Sequence, residues 1–430
     1  MKQRTVRNLG ENLRQGRHLS CLGGWQCDMI KEKPGPAWVE GRRVRREVFK
    51  KEKSMPAVNV LIKPASSACN MHCQYCFYRD VADHRQQAYQ GMVSLETMER
   101  IVAAAMEYAE GTCAFGFQGG EPTLAGLDFY RGVLELEERY RKPGVRICNA
   151  IQTNGLCVDE EWARFLAQNH FLVGLSLDGP ADIHNRNRRD TTGNGTFNQV
   201  MRAARMLEKA GAEYNILCVV TGQTARFVEQ IYRFFRRQGF RWLQFIPCLE
   251  PLDQERGQER YHLSAEGYGT FLCRLFDLWF QDLQKGEYVS IRHLDNWIGM
   301  LLGQPPEACS MRGSCSVQFV VEGDGGVYPC DFYVLDDLRM GTVGQESFAQ
   351  MEQSEAACRF REASRRVPQA CRECGAYMLC RNGCRRDRLV TAEGLVDRNY
   401  YCQAYRMFFA QRGQALRQAA AMVCRMERQA

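Results

Sequence analysis

The sequence predicts an α/β protein whose parallel sheet closes, wholly or partly, as a TIM-type (β/α)6 barrel. Six short segments have the apolar, β-branched or aromatic composition of buried parallel strands, and amphipathic helical stretches lie between them. The strands are expected at 57–63, 113–118, 145–152, 172–177, 214–220 and 242–246, and the helices near 95–110, 126–141, 159–169, 196–210 and 224–238. Ser94 is expected to cap the first of these helices. In such a barrel, chemistry takes place on loops at the carboxyl ends of the strands.

The rest of the chain divides into further predicted units. Residues 1–54 hold 14 basic and 6 acidic residues and show no persistent period, which predicts a disordered extension or a wrongly assigned start. A functional basic tail is the alternative. The other units are a barrel over 55–250, a helical bridge over 251–308 with a long helix near 264–284, a small cysteine-rich domain over 309–402 and a C-terminal helix over 403–430.

Composition and charge limit the classes of function that this chain could have. Hydrophobic residues make up 45% and charged residues 25%, as in a globular protein, and no apolar run is long enough to span a membrane. The absence of a secretory signal predicts a cytoplasmic location. Beyond residue 54 the chain holds 43 basic and 44 acidic residues, so charge does not indicate nucleic-acid binding. The 21 cysteines, in a reducing compartment, indicate metal ligation.

The motif Cys69-x3-Cys73-x2-Cys76 follows the first predicted strand and should lie at the mouth of the barrel. Three thiolates can hold a [4Fe–4S] cluster and leave its fourth iron open to a small molecule. The alternatives are a zinc site that lacks one ligand, or buried unreactive thiols.

This motif resembles the signature of the radical S-adenosylmethionine (SAM) superfamily, CxxxCxxC with an aromatic residue beside the last cysteine. Tyr75 and Phe77 flank Cys76 here. The resemblance implies a radical SAM barrel, and it implies SAM-binding roles for Tyr75, Gly119, Gly120, Glu121, Ser176, Arg188 and Leu249. Glu121 would accept a hydrogen bond from the methionyl ammonium. The alternative for Ser176 or Arg188 is an ordinary solvated loop residue.

Eight further cysteines resemble the SPASM domain of peptide-modifying radical SAM enzymes. The resemblance implies two auxiliary [4Fe–4S] clusters: a nearer one on Cys309, Cys315, Cys330 and Cys384, and an outer one on Cys371, Cys374, Cys380 and Cys402. Spacing alone does not give this interleaving, and the spacing of the outer four also suits a structural zinc site. Fully ligated clusters would transfer electrons.

Three stretches, 61–67, 117–122 and 328–333, resemble the anaerobic sulfatase-maturating enzymes within this group. That resemblance implies oxidation of an active-site Cys or Ser of a sulfatase to Cα-formylglycine by 5′-deoxyadenosyl radical chemistry. The implied partners are the sulfatase polypeptide and an electron donor such as flavodoxin or ferredoxin, with neither nucleic acid nor membrane.

Asp331, directly after Cys330, is the predicted catalytic base, and its alternative is a carboxylate that caps a turn. Tyr78 and Gln118 are expected to face the target peptide. Two rival functions stay open: a SPASM enzyme that forms thioether or carbon–carbon crosslinks, and a non-catalytic zinc-binding protein.

Overall fold

The structure is a computed structural model that describes residues 57–391 and 394–429, so the predicted extension over 1–54 lies outside the described residues. The strands are β1 Val58–Ile62, β2 Thr112–Phe117, β3 Arg146–Thr153, β4 Leu172–Ser176, β5 Tyr214–Val220, β6 Trp242–Pro247, β7 Ser290–Ile291, β8 Val320–Val321, β9 Gly326–Tyr328, β10 Gly341–Thr342, β11 Arg388–Val390 and β12 Val396–Asn399.

The helices alternate with the first strands and then dominate the C-terminal third. They are α1 Phe77–Asp83, α2 Leu95–Tyr108, α3 Leu127–Arg139, α4 Glu160–Gln168, α5 Ala181–Asn187, α6 Phe197–Ala210, α7 Val228–Arg237, α8 Ala265–Gln284, α9 Arg292–Leu301, α10 Phe348–Glu352, α11 Glu355–Arg365, α12 Gln369–Arg372, α13 Tyr377–Cys380 and α14 Cys402–Gln429.

Strands β1 to β6 pair in parallel in sequence order, and the sheet has its edges at β7 and β10. The predicted parallel, partly closed barrel is therefore confirmed. Helices cover its outer face, and apolar side chains of strands and helices form one large core. Ser94 caps α2 as predicted, because its hydroxyl accepts a hydrogen bond from the Thr97 amide at 3.0 Å.

The cysteine-rich region begins as part of the barrel sheet. Strand β8 pairs in parallel with β1, and β9 and β10 extend the sheet in antiparallel order. The two-residue lengths of β8 and β10 fall below what a sequence period can reveal. Helices α1, α5 and α9 were likewise not predicted. None of the described helices is long and apolar enough to cross a membrane.

A buried ion pair joins α1 to the residue that follows β8. Arg85 donates to Glu322 at 2.5 Å, and neither side chain is exposed to solvent. The Tyr78 hydroxyl donates to the same carboxylate. Two groups close together in the chain and one more than 200 residues away therefore satisfy one another out of contact with solvent.

Replacing Glu322 with alanine should lower the free energy of unfolding by about 3 kcal/mol, because it leaves the buried Arg85 charge without its partner. Urea unfolding of the anaerobic holoenzyme, followed by tryptophan fluorescence, measures the change. The control is Asp128→Ala, which breaks an exposed ion pair with Arg131 and should leave the curve nearly unchanged. Similar shifts in both variants would contradict the argument.

Candidate active site

The loop that carries the first three cysteines is held by the loop after β2. The amide of Gly120 donates to the carbonyl of Ser66 at 2.8 Å, and the amide of Glu121 donates to that of Ala68 at 2.8 Å. A Cβ atom on Gly120 would lie 1.9 Å from the Ala68 carbonyl oxygen. Glycine is required here because the two backbones touch immediately before Cys69.

Glu121 is buried at the centre of this contact. Its carboxylate accepts from the amide and hydroxyl of Thr123 at 3.1 and 2.6 Å, from the Thr153 hydroxyl at 2.7 Å and from the Asn154 amide at 2.8 Å. Burial raises the pKa of Glu121, and these donors oppose the rise. The carboxylate thus joins the ends of β2 and β3, a structural role that the motif alone did not reveal. Its predicted contact with the SAM ammonium stays a prediction.

Arg188 brings a positive charge to the first cysteine set. Its Nε donates to Asp178 at 3.0 Å, and its Nη1 lies 3.9 Å from the sulfur of Cys73. The guanidinium carbon lies 5.4 Å from the centre of the Tyr75 ring, and the Tyr75 hydroxyl donates to Asp178. Arg188 is therefore held in place by a buried carboxylate rather than solvated. Asp178 was not among the predicted site residues.

The structure groups the cysteines in space. Burial raises the pKa of Cys69 to about 12, with Cys73 and Cys76 among the neighbours that add to the rise. Burial also raises the pKa of Cys330, and the nearby thiols that reinforce this are Cys384, Cys315 and Cys309. For Cys380 burial raises the pKa to about 12, reinforced by Cys402, Cys371 and Cys374. The eleven thiols thus form one group of three and two groups of four. We call the latter the inner set (Cys309, Cys315, Cys330, Cys384) and the outer set (Cys371, Cys374, Cys380, Cys402).

One cavity of about 310 Å³ joins most of the predicted site. The predicted site residues in its lining are Cys69, Cys73, Cys76, Tyr75, Gly119, Gly120, Glu121, Ser176, Arg188, Leu249, Cys309, Cys315, Cys330, Cys384 and Asp331. The outer set lines a second cavity of about 530 Å³. The first three cysteines and the inner set therefore face a common space, and Asp331 is in its wall.

Asp331 is buried and held by two side chains. The ammonium of Lys63 donates to one carboxylate oxygen, and the amide of Gln118 donates to the other at 2.9 Å. Lys63 is fully buried, and its Nζ lies 4.1 Å from the centre of the Tyr78 ring. A polar site deep in the barrel is consistent with catalysis more than with a turn cap.

The structure shows contacts within the protein for the two residues that were expected to face the target peptide. The amide of Gln118, which was predicted to face the peptide, is directed at Asp331. The Tyr78 ring lines the cavity, but its hydroxyl is directed into the protein at Glu322. Lys63 was missed, although a lysine directly after the apolar β1 segment was the signal that could have revealed it.

Arg388 holds the two auxiliary sets together. It is buried, and its guanidinium donates to the carbonyls of Gly313, Ser364, Asn382 and Gly383 at 2.6 to 3.0 Å. Gly313 lies in a loop that carries inner-set cysteines, Asn382 and Gly383 lie between Cys380 of the outer set and Cys384 of the inner set, and Ser364 lies near the end of α11. One cation therefore fixes several turns that have little apolar core of their own.

Comparison with known proteins agrees with this geometry. A model of the radical SAM superfamily matches residues 64–235, and a model of an iron–sulfur cluster-binding domain, SPASM, matches residues 309–375. The fold and the cysteine sets thus define a radical SAM enzyme with a SPASM domain, whose cofactors are SAM and iron–sulfur clusters as predicted. The iron–sulfur match decides against the zinc alternatives.

Comparison with individual relatives shows which family of radical SAM enzymes the chain belongs to. The chain is 46% identical to the cysteine-type anaerobic sulfatase-maturating enzyme of Clostridium perfringens, over 83% of this chain and 96% of that enzyme. It is 30% identical to the serine-type enzyme of Bacteroides thetaiotaomicron, over 81% and 88%. A solved structure of native anSMEcpe with bound AdoMet and Cp18Cys peptide has a TM-score of 0.82 at 43% identity and covers 86% of this chain and 100% of that one. The chain belongs to the anaerobic sulfatase-maturating enzymes.

Replacing Gly120 with alanine should remove about one third of the iron, because a Cβ atom would push the Ala68–Cys69 backbone away and leave the eight auxiliary cysteines unchanged. Iron and acid-labile sulfide analysis of the anaerobically reconstituted protein measures the loss. Gly299→Ala is the control, since Gly299 lies in α9, lines neither cavity and has the flexible end of the Gln304 side chain as its nearest neighbour, at 3.2 Å. Full iron content in Gly120→Ala would show that the contact is not essential.

Proposed function

We propose that this chain oxidises a cysteine of a sulfatase polypeptide to Cα-formylglycine. One observation carries the proposal: Asp331 lies in the wall of the cavity that the first cysteine set and the inner set share. The relatives favour cysteine over serine as the target, since three cysteine-type enzymes are 44 to 46% identical and the serine-type enzymes are 29 to 30% identical.

The donor set supports three [4Fe–4S] clusters. Cys69, Cys73 and Cys76 would hold the cluster that binds SAM, and the inner and outer sets would hold the two auxiliary clusters. Thiolate is the ligand such clusters prefer, and eleven buried or half-buried thiols grouped as three, four and four match their needs. The lining around the first set would hold SAM, which supplies a 5′-deoxyadenosyl radical that abstracts hydrogen from an unactivated carbon.

Asp331 would take the proton that the substrate loses. Lys63 pairs with one carboxylate oxygen and Gln118 donates to the other, so the base is oriented before the peptide binds. Its neighbour Cys330 belongs to the inner set. The thiol proton of the substrate cysteine and the electron of its carbon radical would therefore go to adjacent residues.

Positive charge around the inner set supports its role as the electron acceptor. Arg292 and Arg312 act on Cys309, and Arg385 and Arg388 act on Cys315, in each case opposing the effect of burial, which raises the thiol pKa. Cations close to a cluster stabilise its reduced form.

The partners follow from this chemistry. A peptide must enter the 310 Å³ cavity, and a one-electron donor such as flavodoxin or ferredoxin must supply reducing equivalents for SAM cleavage. We propose the cytoplasm as the location, because so many thiols need a reducing compartment.

Anaerobic incubation with SAM, reductant and a Cys-x-Pro-x-Arg peptide should convert the cysteine thiol to an aldehyde, and mass spectrometry detects the change. The Ser counterpart should react more slowly or not at all. If 5′-deoxyadenosine formed while both peptides returned unchanged, the sulfatase assignment would fail and the crosslinking function would become the better explanation.

Asp331→Asn should lower the rate of formylglycine formation by about 10²- to 10³-fold, because the amide cannot accept the substrate proton. SAM cleavage to 5′-deoxyadenosine should continue. Liquid chromatography of both products from the same reaction measures the difference. Asp337→Asn, at an exposed carboxylate of the same loop, is the control. Unchanged peptide oxidation in Asp331→Asn would remove this residue from the mechanism.

A further inference from the structure

Charge is distributed unevenly along this chain. Residues 365–430 hold 13 basic and 5 acidic residues, whereas residues 55–364 hold 30 basic and 39 acidic residues. The near-neutral total beyond residue 54 therefore conceals a basic C-terminal region on an acidic body. That region carries the whole outer set.

Part of this positive charge is used internally. Arg388 binds backbone carbonyls, Arg412 pairs with Asp277 at 2.6 Å, and Arg385 lies over the Tyr333 ring. A second group of arginines is exposed: Arg365, Arg366, Arg372, Arg398, Arg406 and Arg417. These exposed arginines place positive charge on the surface of the protein, where it can act on an approaching partner.

Three of these exposed arginines surround the outer set. Arg398, Arg406 and Arg417 line the 530 Å³ cavity together with its four cysteines, and Glu373 is the acidic residue among the described lining residues. Within residues 57–391 and 394–429, neither Arg406 nor Arg417 forms an ion pair with a carboxylate.

An exposed apolar side chain lies in the segment that carries two cysteines of the outer set. Met378 is 71% exposed and belongs to α13, between Cys374 and Cys380. An exposed methionine with charged surroundings is typical of adaptable protein interfaces. A phosphate backbone would gain nothing from it, so a protein partner is favoured over a nucleic acid.

The outer set is also joined to the inner set. Cys380 and Cys384 are four residues apart in the chain, and Arg388 binds the carbonyls of Asn382 and Gly383 between them. An electron that reaches the inner set therefore has a short path through buried structure to the surface at Met378.

We propose that the face formed by Met378, Arg398, Arg406 and Arg417 docks an acidic protein that carries one electron at a time. The proposal rests on the proposed function. Oxidation of the substrate cysteine would give a Cβ hydrogen atom to the 5′-deoxyadenosyl radical and the thiol proton to Asp331, leaving a thioaldehyde that water hydrolyses to the aldehyde with release of hydrogen sulfide. The remaining electron would pass through the clusters that the inner and outer sets hold to the oxidised carrier, which is thereby reduced.

The test measures electron exchange between the cluster-loaded enzyme and a chemically reduced acidic flavodoxin by anaerobic stopped-flow absorbance. The wild-type rate should fall as salt rises, because salt screens the charges that steer docking. In Arg406→Glu/Arg417→Glu the rate should be about tenfold lower at low salt and nearly independent of salt. Reduction by dithionite, which needs no docking, should change far less.

The matched control is Arg202→Glu/Arg205→Glu, which makes the same charge change on exposed residues of α6. It should keep the wild-type rate within about twofold, since its site is on the barrel. An equal loss in both double variants, or no loss in either, would overturn the proposal. If charge reversal lowers iron content, Arg406→Gln/Arg417→Gln replaces it under the same expectations.

Two further results separate this proposal from its alternatives. Tight binding of a fluorescent single-stranded RNA, with an unchanged flavodoxin rate in the arginine variant, would overturn it in favour of nucleic acid.

Peptide oxidation driven by dithionite is measured alongside. Absence of product in the wild type would show failure of the proposed function, whereas a flavodoxin rate insensitive to Arg406 and Arg417 would show failure of the docking assignment alone.

Discussion

The pairing of β1 on both of its sides is the constraint on which the site depends. Its backbone bonds β2 on one side and β8 on the other, and this pattern continues past the strand ends: Gln118 bonds the Ile62 carbonyl at 3.0 Å and Lys63 bonds the Val321 carbonyl at 2.9 Å. Strand β9, paired with β8, leads directly to Cys330 and Asp331. Asp331 and both of its partners, Lys63 and Gln118, are thus positioned by the ends of neighbouring strands.

Buried cations recur at three places around the site. Lys63 pairs with Asp331, Arg188 lies beside Cys73, and Arg388 binds the loops of the auxiliary sets. A buried charge without a partner is costly, so each of these needs an anion or several carbonyl acceptors. Arg188 and Arg388 have both an internal acceptor and a nearby thiol, which suits a protein whose sites must hold clusters of negative charge.

One oxidation releases a proton and an electron, and the structure provides separate destinations for them. Asp331 faces the cavity while its neighbour Cys330 is among the sulfurs of the inner set. The outer set then opens toward a basic surface. Under the proposed function, proton transfer would take place at Asp331 inside the barrel and electron transfer along the C-terminal region, so that a carrier protein would not compete with the peptide for the same opening.

The sequence by itself determined the barrel and the members of the site. Six apolar strands with helices between them were predicted within a few residues, because burial of a parallel strand leaves a continuous apolar run, and the cysteine spacing and the residue after Cys330 were visible as motifs. Tertiary structure decided the rest. The pairing of β8 with β1, the Lys63–Asp331 contact and the division of eight cysteines into two sets join residues far apart in the chain. Local spacing carries no information about such contacts, since they depend on which strand ends meet in the folded sheet.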